Sequence, residues 1–553
     1  MRITDTSDLW WKTAVVYCLD VETYLDDNGD GVGDFPGLAR RIDYLADLGV
    51  TCLWLMPFYP SPSRDDGYDV SDFYGVDPRL GSHGDVVEVI RTARDRGMRV
   101  IIDLVVNHTS DQHRWFREAR KSVDNPFRDF YVWSKEKPAE TGETVFPGEE
   151  SSMWELDEKT GEYFLHSFYR HQPDLNIGNP TVRDEIAKTI GFWLQMGVSG
   201  FRVDAVPYLI EAPKGVELGD PHELMRDLRR FLQRRSSEAV LLGEVNLPYR
   251  EQLDFFGGRD GSELTMQFDF VGMQSLYLSL ARRDPAPLIR ALTDRPVIAT
   301  ESQWANFVRN HDELTLDKLT EAEREEVFEA FAPDESQRIY GRGITRRLPT
   351  MLEGDPRRIR MVYSLLFSLP GTPVLFYGEE IGMGENPEIP GRTSVRTPMQ
   401  WDSTKNGGFS TAAPSRLVAK PPGDGWAPQH VNVVAQRDDD DSLLQHVRRL
   451  VARYRASAEI GWGAFEVLEH DQDSVLAHSM RSDIGRFVAL HNFAERPVEV
   501  ALALRDEPEG TEFVDLLGPD RMPLGARGKA VVELGAYGYR WFRVVRPGDG
   551  RLG

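Results

Sequence analysis

Cysteine is scarce in this sequence, because a chain of 553 residues contains only Cys18 and Cys52, each within an apolar run. Two cysteines exclude the disulfide-dense scaffold that small secreted domains use. We therefore predict two buried free thiols in a reducing compartment, which indicates a cytoplasmic protein. Residues 1–20 also lack a basic start followed by a long apolar stretch, so the sequence predicts no signal peptide.

Long hydrophobic runs and an excess of positive charge are missing as well. No apolar run approaches the length of a membrane span. Lys and Arg number 65 against 89 Asp and Glu, which gives a formal net charge of −24. Such acidity argues against nucleic acid or an anionic membrane as a partner. It is compatible with a neutral sugar, and the sequence leaves open whether the chain forms a homo-oligomer.

The sequence does contain repeated short apolar runs, which are typical of buried parallel strands. They lie at residues 14–21, 52–58, 99–108, 200–206, 239–245, 305–310 and 373–380. Amphipathic helical patterns lie between them at residues 36–50, 84–98 and 182–198. Alternation of strand and helix predicts an α/β fold with one parallel sheet. The number of units favours a (β/α)8 TIM barrel over an open sheet, although periodicity alone does not decide between them.

Two changes of pattern predict further domains. Residues 110–177 are aromatic and irregular and are too long for a plain loop, which indicates a small domain inserted after the third strand. After about residue 460, short alternating runs indicate an antiparallel C-terminal β-domain. We predict a barrel from 1–109 and 178–460, an inserted domain at 110–177 and a C-terminal β-sandwich at 461–553.

Polar side chains follow the predicted strands at the ends where the functional residues of a barrel gather. They are Asn107 and His108, Arg202 and Asp204, Glu244, and His311 and Asp312. Carboxyl groups of differing pKa are what glycosidic cleavage requires. Any one of these residues alone is better interpreted as part of a structural ion pair. Their occurrence at several strand ends favours a catalytic site.

The run "GFRVDAV" at 200–206 places Arg202 and Asp204 two positions apart in an apolar strand. Side chains two apart point to the same side of a strand. A buried charge is costly unless it is paired. We therefore expect Arg202 to pair with Asp204, to keep it ionised and to hold its side chain in place.

Four runs, "DLVVNH" (103–108), "GFRVDAV" (200–206), "GEV" (243–245) and "FVRNHD" (307–312), resemble in order and spacing the signature regions of the α-amylase superfamily, glycoside hydrolase family thirteen. The resemblance covers about residues 10–410 and implies a retaining mechanism. It implies the following roles: Asp204 as nucleophile, Glu244 as general acid/base, Asp312 as the residue that grips the sugar hydroxyls, His108 and His311 as ligands of the first subsite, and Arg202 as support for the nucleophile.

Three further runs resemble the trehalose synthase and oligo-1,6-glucosidase branch of that family. They are "RDDGYDV" (64–70), "QPDLN" (172–176) and "SVRTPMQW" (394–401). The resemblance implies that Asp65 and Tyr68 hold a non-reducing glucose and that Arg396 forms an ion pair with Asp65. A subsite blocked in this way accepts one terminal glucose of a small α-glucoside.

The loop "DDNGDGVGD" at 26–34 carries acidic or amide residues at alternate positions. Ca²⁺ prefers several oxygen ligands from a tight, Gly-rich loop. A solvated acidic turn is the alternative, but a calcium loop after the first strand recurs in this branch. We predict a structural Ca²⁺ held by Asp26, Asn28, Asp30, the Val32 carbonyl and Asp34.

The resemblance implies a trehalose-synthase-like enzyme that isomerises maltose and trehalose through a glucosyl-aspartate intermediate. The segments 207–225 and 246–258 depart from that pattern where the acceptor glucose is held. An α-glucosidase or a transglucosylase acting on short α-glucosides therefore remains the alternative. A non-catalytic binding subunit is disfavoured, because such relatives tend to lose the triad carboxylates, which this chain keeps.

Overall fold

The computed structural model describes residues 9–139, 144–210, 220 and 222–549. Eight parallel strands close into a barrel, in which the last strand pairs with the first. In chain order the barrel strands are Val16–Leu19, Cys52–Leu55, Arg99–Leu104, Gly200–Val203, Val240–Gly243, Met266–Phe268, Gln303–Phe307 and Thr372–Phe376. Nearly every residue in them is buried, because helices cover the outside of the barrel and side chains fill its inside.

The predicted barrel is confirmed, and all seven predicted strands belong to it. One barrel strand, Met266–Phe268, which comes sixth in the chain, was not predicted from the sequence. It contains three residues, one of them Gln267, so it shows no apolar run that a pattern search would find. It is a strand because it pairs on both sides, with Val240–Gly243 and with Gln303–Phe307.

The helices begin and end at residues that suit those positions. Asp34 caps the first long helix by accepting from the Gly37 amide at 2.7 Å, and Gly49 ends it with a φ of 92° that favours glycine. The α-helices are Phe35–Leu48, His83–Asp95, Arg114–Ala119, Pro180–Met196, Val206–Ile210, Glu223–Arg235, Tyr249–Phe255, Phe270–Arg282, Ala286–Asp294, Glu321–Phe331, Leu348–Met351, Pro356–Ser368, Val433–Arg437, Leu443–Arg455 and Glu459–Trp462.

Two excursions from the barrel reach its carboxyl-end face. Between the third and fourth barrel strands, a small antiparallel sheet is formed by Trp133–Ser134, Glu162–Leu165 and Trp154–Asp157. After the seventh barrel strand, Leu314–Thr315 pairs with a hairpin made of Arg338–Ile339 and Gly343–Ile344. We call the two strands Arg338–Ile339 and Gly343–Ile344, with the turn between them, the excursion hairpin.

The C-terminal region is antiparallel, as predicted. Its strands are Ala464–Val467, Val475–Ser482, Gly485–Asn492, Val498–Ala503, Glu512–Asp515, Arg521–Pro523, Lys529–Leu534 and Tyr539–Val545. Six of them form one sheet and two form another, and a shared apolar core lies between the sheets. The predicted boundaries near residues 110, 178 and 461 stay predictions. Within the described residues, no helix combines the length and the apolar composition needed to cross a bilayer.

Candidate active site

Three carboxyl groups meet at the carboxyl ends of the barrel strands. Asp204 directly follows the fourth barrel strand, Glu244 directly follows the fifth, and Asp312 comes shortly after the seventh. Arg202 connects two of them, because its Nη2 donates to Glu244 at 2.7 Å and its Nη1 donates to Asp204. The barrel thus brings together residues that are more than 100 positions apart in the chain.

A fourth carboxyl group, Asp103, completes the surroundings of this arginine. Its Oδ1 accepts from Arg202 Nη1 at 2.6 Å, and its Oδ2 accepts from the Trp54 indole at 2.6 Å. Both Asp103 and Arg202 are buried. One guanidinium therefore contacts three carboxyl groups, and its planar array of donors fixes their orientation.

The surroundings raise the pKa values of Asp204 and Glu244 to different extents. Burial raises the pKa of Asp204 to about 6; Arg202 opposes the increase and Asp103 adds to it. Burial raises the pKa of Glu244 to about 7, again opposed by Arg202 and increased by Asp204. Near neutral pH, Asp204 is therefore mostly ionised while a large share of Glu244 keeps its proton.

The backbone after Asp204 adopts an unusual conformation. Ala205 has a φ of 47°, in the left-handed region that residues with a side chain seldom occupy. Its amide then donates to Glu244 Oε2 at 3.2 Å. The strained turn thus helps to orient the acid that lies beside Asp204.

Asp312 is held in the ionised state. Its Oδ1 accepts from Arg392 Nη1 at 2.8 Å and from Arg396 Nη2 at 2.9 Å. Burial alone would raise the pKa of Asp312, but the guanidiniums of Arg392 and Arg396 hold it well below its ordinary value. This carboxylate is therefore a permanent acceptor at the mouth of the barrel.

The predicted ion pair between Arg396 and Asp65 is wrong. Asp65 pairs instead with Arg392, and Arg396 pairs with Asp66 at 2.5 Å. Arg396 is fixed by donating its Nε to the His311 carbonyl at 2.8 Å, which directs Nη1 to Asp66. Two ion pairs, Arg392 with Asp65 and Arg396 with Asp66, therefore lie here where the sequence predicted one.

The remaining predicted sugar ligands contact one another. The Tyr68 hydroxyl lies 2.7 Å from His311 Nε2, and the two rings stack with centroids 5.4 Å apart. His108 Nε2 lies 3.1 Å from the Tyr68 carbonyl oxygen. Burial lowers the pKa of His108 to about 4 and that of His311 well below its ordinary value. Both rings are therefore neutral near pH 7.

Sequence reasoning did not single out four residues of this site: Asp103, Asp66, Gln172 and Arg392. The first three lie inside motifs that were recognised, and the Gln172 amide donates to Asp65 Oδ2 at 2.8 Å. An acid in the middle of a buried strand was the available signal for Asp103. Arg392 had no signal, because it lies in a short 3-10 turn among surface-like residues.

A cavity of about 710 Å³ adjoins Glu244 and Asp312, and we call it the acceptor cavity. The excursion hairpin forms one of its walls by docking onto the inserted segment. Arg342 Nη2 donates to the Val145 carbonyl at 2.6 Å, and the Tyr340 hydroxyl donates to Glu149 at 3.0 Å. The departure predicted at 207–225 lies largely outside the described residues.

The predicted calcium loop is held by its own backbone. The Asp26 carboxylate accepts from the Gly29 and Gly31 amides at 2.7 and 2.8 Å, and Asp34 caps the following helix. Asn28 and Asp30 each accept from the amide two residues on. In the part of the chain that the structure describes, no group of three or more His, Cys, Asp or Glu side chains is arranged to hold a metal ion. The donor set consists of oxygens, which suits Ca²⁺ in chemistry.

The thiols of Cys18 and Cys52 are free and buried, as predicted. Burial raises both of their pKa values, so neither is a reactive thiolate.

Comparison with known proteins agrees with this geometry. The chain matches the α-amylase catalytic domain over residues 21–332 and 341–463, and the sucrose hydrolase-like C-terminal domain over residues 485–543. It is 40% identical to the trehalose synthase of Pimelobacter sp. (strain R48), over 97% of this chain and 96% of that one. It is 39% identical to the trehalose synthase/amylase of Mycolicibacterium smegmatis, over 98% and 94% of the two chains.

More distant relatives and solved structures lie in the same family. The oligo-1,6-glucosidase of Parageobacillus thermoglucosidasius is 30% identical over 88% of this chain and 91% of that one. The trehalulose synthase of Pseudomonas mesoacidophila MX-45 superposes with a TM-score of 0.76 at 26% identity, over 97% and 99% of the chains. The chain belongs to the α-amylase family, glycoside hydrolase family thirteen, and is an enzyme of that family similar to trehalose synthases.

Proposed function

We propose that this enzyme interconverts maltose and trehalose through a glucosyl-Asp204 intermediate. The observation that carries the proposal is the single guanidinium of Arg202, which contacts both Asp204 and Glu244. Near neutral pH Asp204 is mostly ionised while a large share of Glu244 keeps its proton, and this difference supports a retaining mechanism.

In the first step, Asp204 attacks the anomeric carbon of the terminal glucose, and Glu244 donates its proton to the leaving oxygen. The bond from carbon to the leaving oxygen breaks and an ester to Asp204 forms. Asp312, held ionised by two arginines, accepts hydrogen bonds from the sugar hydroxyls. Tyr68 and His311 form the wall against which the sugar ring packs.

In the second step, the released glucose turns within the acceptor cavity and attacks the same anomeric carbon through another hydroxyl. Glu244, now ionised, takes the proton of that hydroxyl. Two replacements at one carbon retain its configuration. The pH optimum is expected near neutral or slightly acidic, because Asp204 must be ionised while Glu244 keeps its proton.

Isomerisation requires that the released glucose remain in the acceptor cavity and that water be excluded from it. The contacts of the excursion hairpin with the inserted segment support this requirement, since Arg342 and Tyr340 bond across the cavity wall. The bridges from Arg392 to Asp65 and from Arg396 to Asp66 lie beside Asp312, because both arginines also contact that carboxylate, and this supports a subsite for one terminal glucose.

Incubation with maltose and, separately, with trehalose tests the proposal, with products resolved by chromatography over time. Interconversion with little free glucose is the expected result. Free glucose as the main product would support the second candidate, an α-glucosidase, which the relationship to oligo-1,6-glucosidases favours. If Asp204→Ala or Glu244→Gln kept near-normal activity, the assignment of the catalytic residues would be wrong.

We also propose a structural Ca²⁺ on the loop 26–34 and a cytoplasmic location. The spacing of oxygen donors supports the first proposal, and the two free buried thiols support the second. Exhaustive chelation should lower the melting temperature, and Asp30→Ala should remove that dependence. An unchanged melting temperature would contradict calcium binding. The ion would serve stability alone, because its loop contributes no residue to the catalytic carboxyl groups.

A further inference from the structure

The walls of the acceptor cavity carry charges of both signs. Its lining includes the carboxyl groups of Glu244, Asp312, Glu313 and Asp317, and a set of cations, Lys318, Arg324, Arg342 and Arg392. A charge that already has a partner contributes little to a ligand, whereas an unpaired one attracts a ligand of opposite sign. The pairing of these groups therefore decides what the cavity can bind.

Most of the acidic groups are already paired. Arginines hold both catalytic carboxyl groups, as described above. Asp317 accepts from Lys318 Nζ at 2.8 Å and from the Asn246 and Gln274 amides at 3.0 Å each. The charges of Asp317 and Lys318 therefore offset each other, and neither is left for a ligand.

Two guanidiniums in this lining have no carboxylate partner among the described residues. Arg324 is half-buried on the helix Glu321–Phe331, and its guanidinium forms no hydrogen bond or ion pair with any residue that the structure describes. Arg342 donates to the Val145 carbonyl, but no carboxylate among the described residues lies within 4.0 Å of it. Both side chains line the same cavity as Glu244.

Glu313 is the one carboxyl group left to balance them among the described lining residues. Burial raises its pKa, and Asp312 raises it further, while Arg392 and Arg342 oppose the increase. Even when Glu313 is ionised, its single charge balances only one of the two guanidiniums. The described part of the cavity therefore presents more unpaired positive charge than negative charge.

We propose that the acceptor cavity also takes a small hydroxyl compound carrying a phosphate or a carboxylate, bound by Arg324 and Arg342. The planar donors of arginine suit both anions. The inference rests on the proposed function, because transfer requires the glucosyl-Asp204 intermediate. The activity is transglucosylation to an anionic acceptor.

The step uses the groups already described. A hydroxyl oxygen of the acceptor forms a bond to the anomeric carbon while the bond from that carbon to the Asp204 oxygen breaks. The hydroxyl proton passes to ionised Glu244, and Asp204 leaves as a carboxylate. The product is an α-glucoside that keeps the phosphate or carboxylate of the acceptor.

The test uses p-nitrophenyl α-glucoside as donor and, as competing acceptors at equal ionic strength, glucose with glucose 6-phosphate or glucose with glycerate. The ratio of anionic to neutral product is read by mass spectrometry. We expect a ratio above one with the wild-type enzyme. Arg324→Gln should lower the ratio at least about tenfold, the usual effect of losing a charge-assisted hydrogen bond. Which of the two acids is used distinguishes phosphate from carboxylate recognition.

Two variants make the result specific. Arg324→Lys keeps the charge and should restore part of the ratio. Arg290→Gln removes one exposed charge from the helix Ala286–Asp294, outside the cavity lining, and should leave the ratio at the wild-type value. Glucose as the preferred acceptor, or an equal ratio in Arg324→Gln and Arg290→Gln, would overturn the inference.

Calorimetric binding of glucose 6-phosphate separates this inference from the proposed function, because binding needs no turnover. Binding that weakens in Arg324→Gln, with no nitrophenol released by the wild-type enzyme, would refute the proposed function and support the anion site. Nitrophenol release without binding of glucose 6-phosphate or glycerate would support the proposed function and refute the anion site.

Discussion

Replacing Asp103 by Asn should move the acid limb of the pH–rate profile to lower pH. Asp103 shares Arg202 Nη1 with Asp204, and its negative charge raises the pKa of Asp204. The amide has nearly the same shape but no charge. The pKa of Asp204, which must be ionised to attack, should therefore fall below about 6.

The geometry bounds the size of the shift. Because one nitrogen contacts oxygens of Asp103 and Asp204, those oxygens lie within about 5 Å of each other. Repulsion of two unit charges at that distance is about 0.8 kcal/mol in water and roughly 3.3 kcal/mol at an effective dielectric constant of 20. These energies correspond to about 0.6 and 2.4 pH units. We expect a shift between these limits.

The assay is kcat/KM for p-nitrophenyl α-glucoside from about pH 4 to 9, because this ratio reports the free enzyme. The control is Tyr59→Phe, which removes the hydroxyl donor to the Asp103 carbonyl oxygen at 2.7 Å and leaves the hydrogen bonds of the Asp103 carboxylate in place. An acid limb that stays in place or rises in Asp103→Asn would refute the reasoning. Equal shifts in both variants would mean that altered packing, and not charge, moves the limb.

Three further predictions follow from other contacts. Glu244→Gln should lower kcat for a maltose substrate by about 10²–10⁴, with less effect on a nitrophenyl glucoside, whose leaving group needs no proton. Arg342→Ala should raise the share of free glucose from maltose by weakening the contact with Val145; an unchanged share would mean that this contact does not exclude water. Acid should destabilise the C-terminal sheet, because burial lowers the pKa of His478 to about 4. Above pH 6.5 the imidazole is neutral in both the folded and the unfolded chain, and the stability is fully present. As the pH falls towards 4, the unfolded chain takes up the proton first, so the free energy of unfolding decreases by about 3 kcal/mol. Unfolding as a function of pH, compared between wild type and His478→Gln, measures it.

Much of the barrel, and the position of three carboxyl groups at its mouth, followed from local patterns in the sequence. Buried parallel strands appear in the sequence as apolar runs, so charged residues at their ends, such as Asp204 and Glu244, are easily recognised. Met266–Phe268 was missed because three residues carry no period, and its pairing on both sides comes from distant strands. Asp103 lay in a recognised motif, but its bond to Arg202 depends on the register of the third and fourth barrel strands.

The sequence by itself determined the fold class and placed Asp204, Glu244 and Asp312 after buried strands, because strand periodicity and residue chemistry are local properties. The tertiary structure decided which charges meet. Arg392 rather than Arg396 pairs with Asp65, since Arg396 is anchored to the His311 carbonyl and directed to Asp66. That Arg324 has no ion-pair partner among the described residues is likewise invisible in sequence. Ion pairs depend on distances of a few ångströms between side chains far apart in the chain, and only the packed barrel sets those distances.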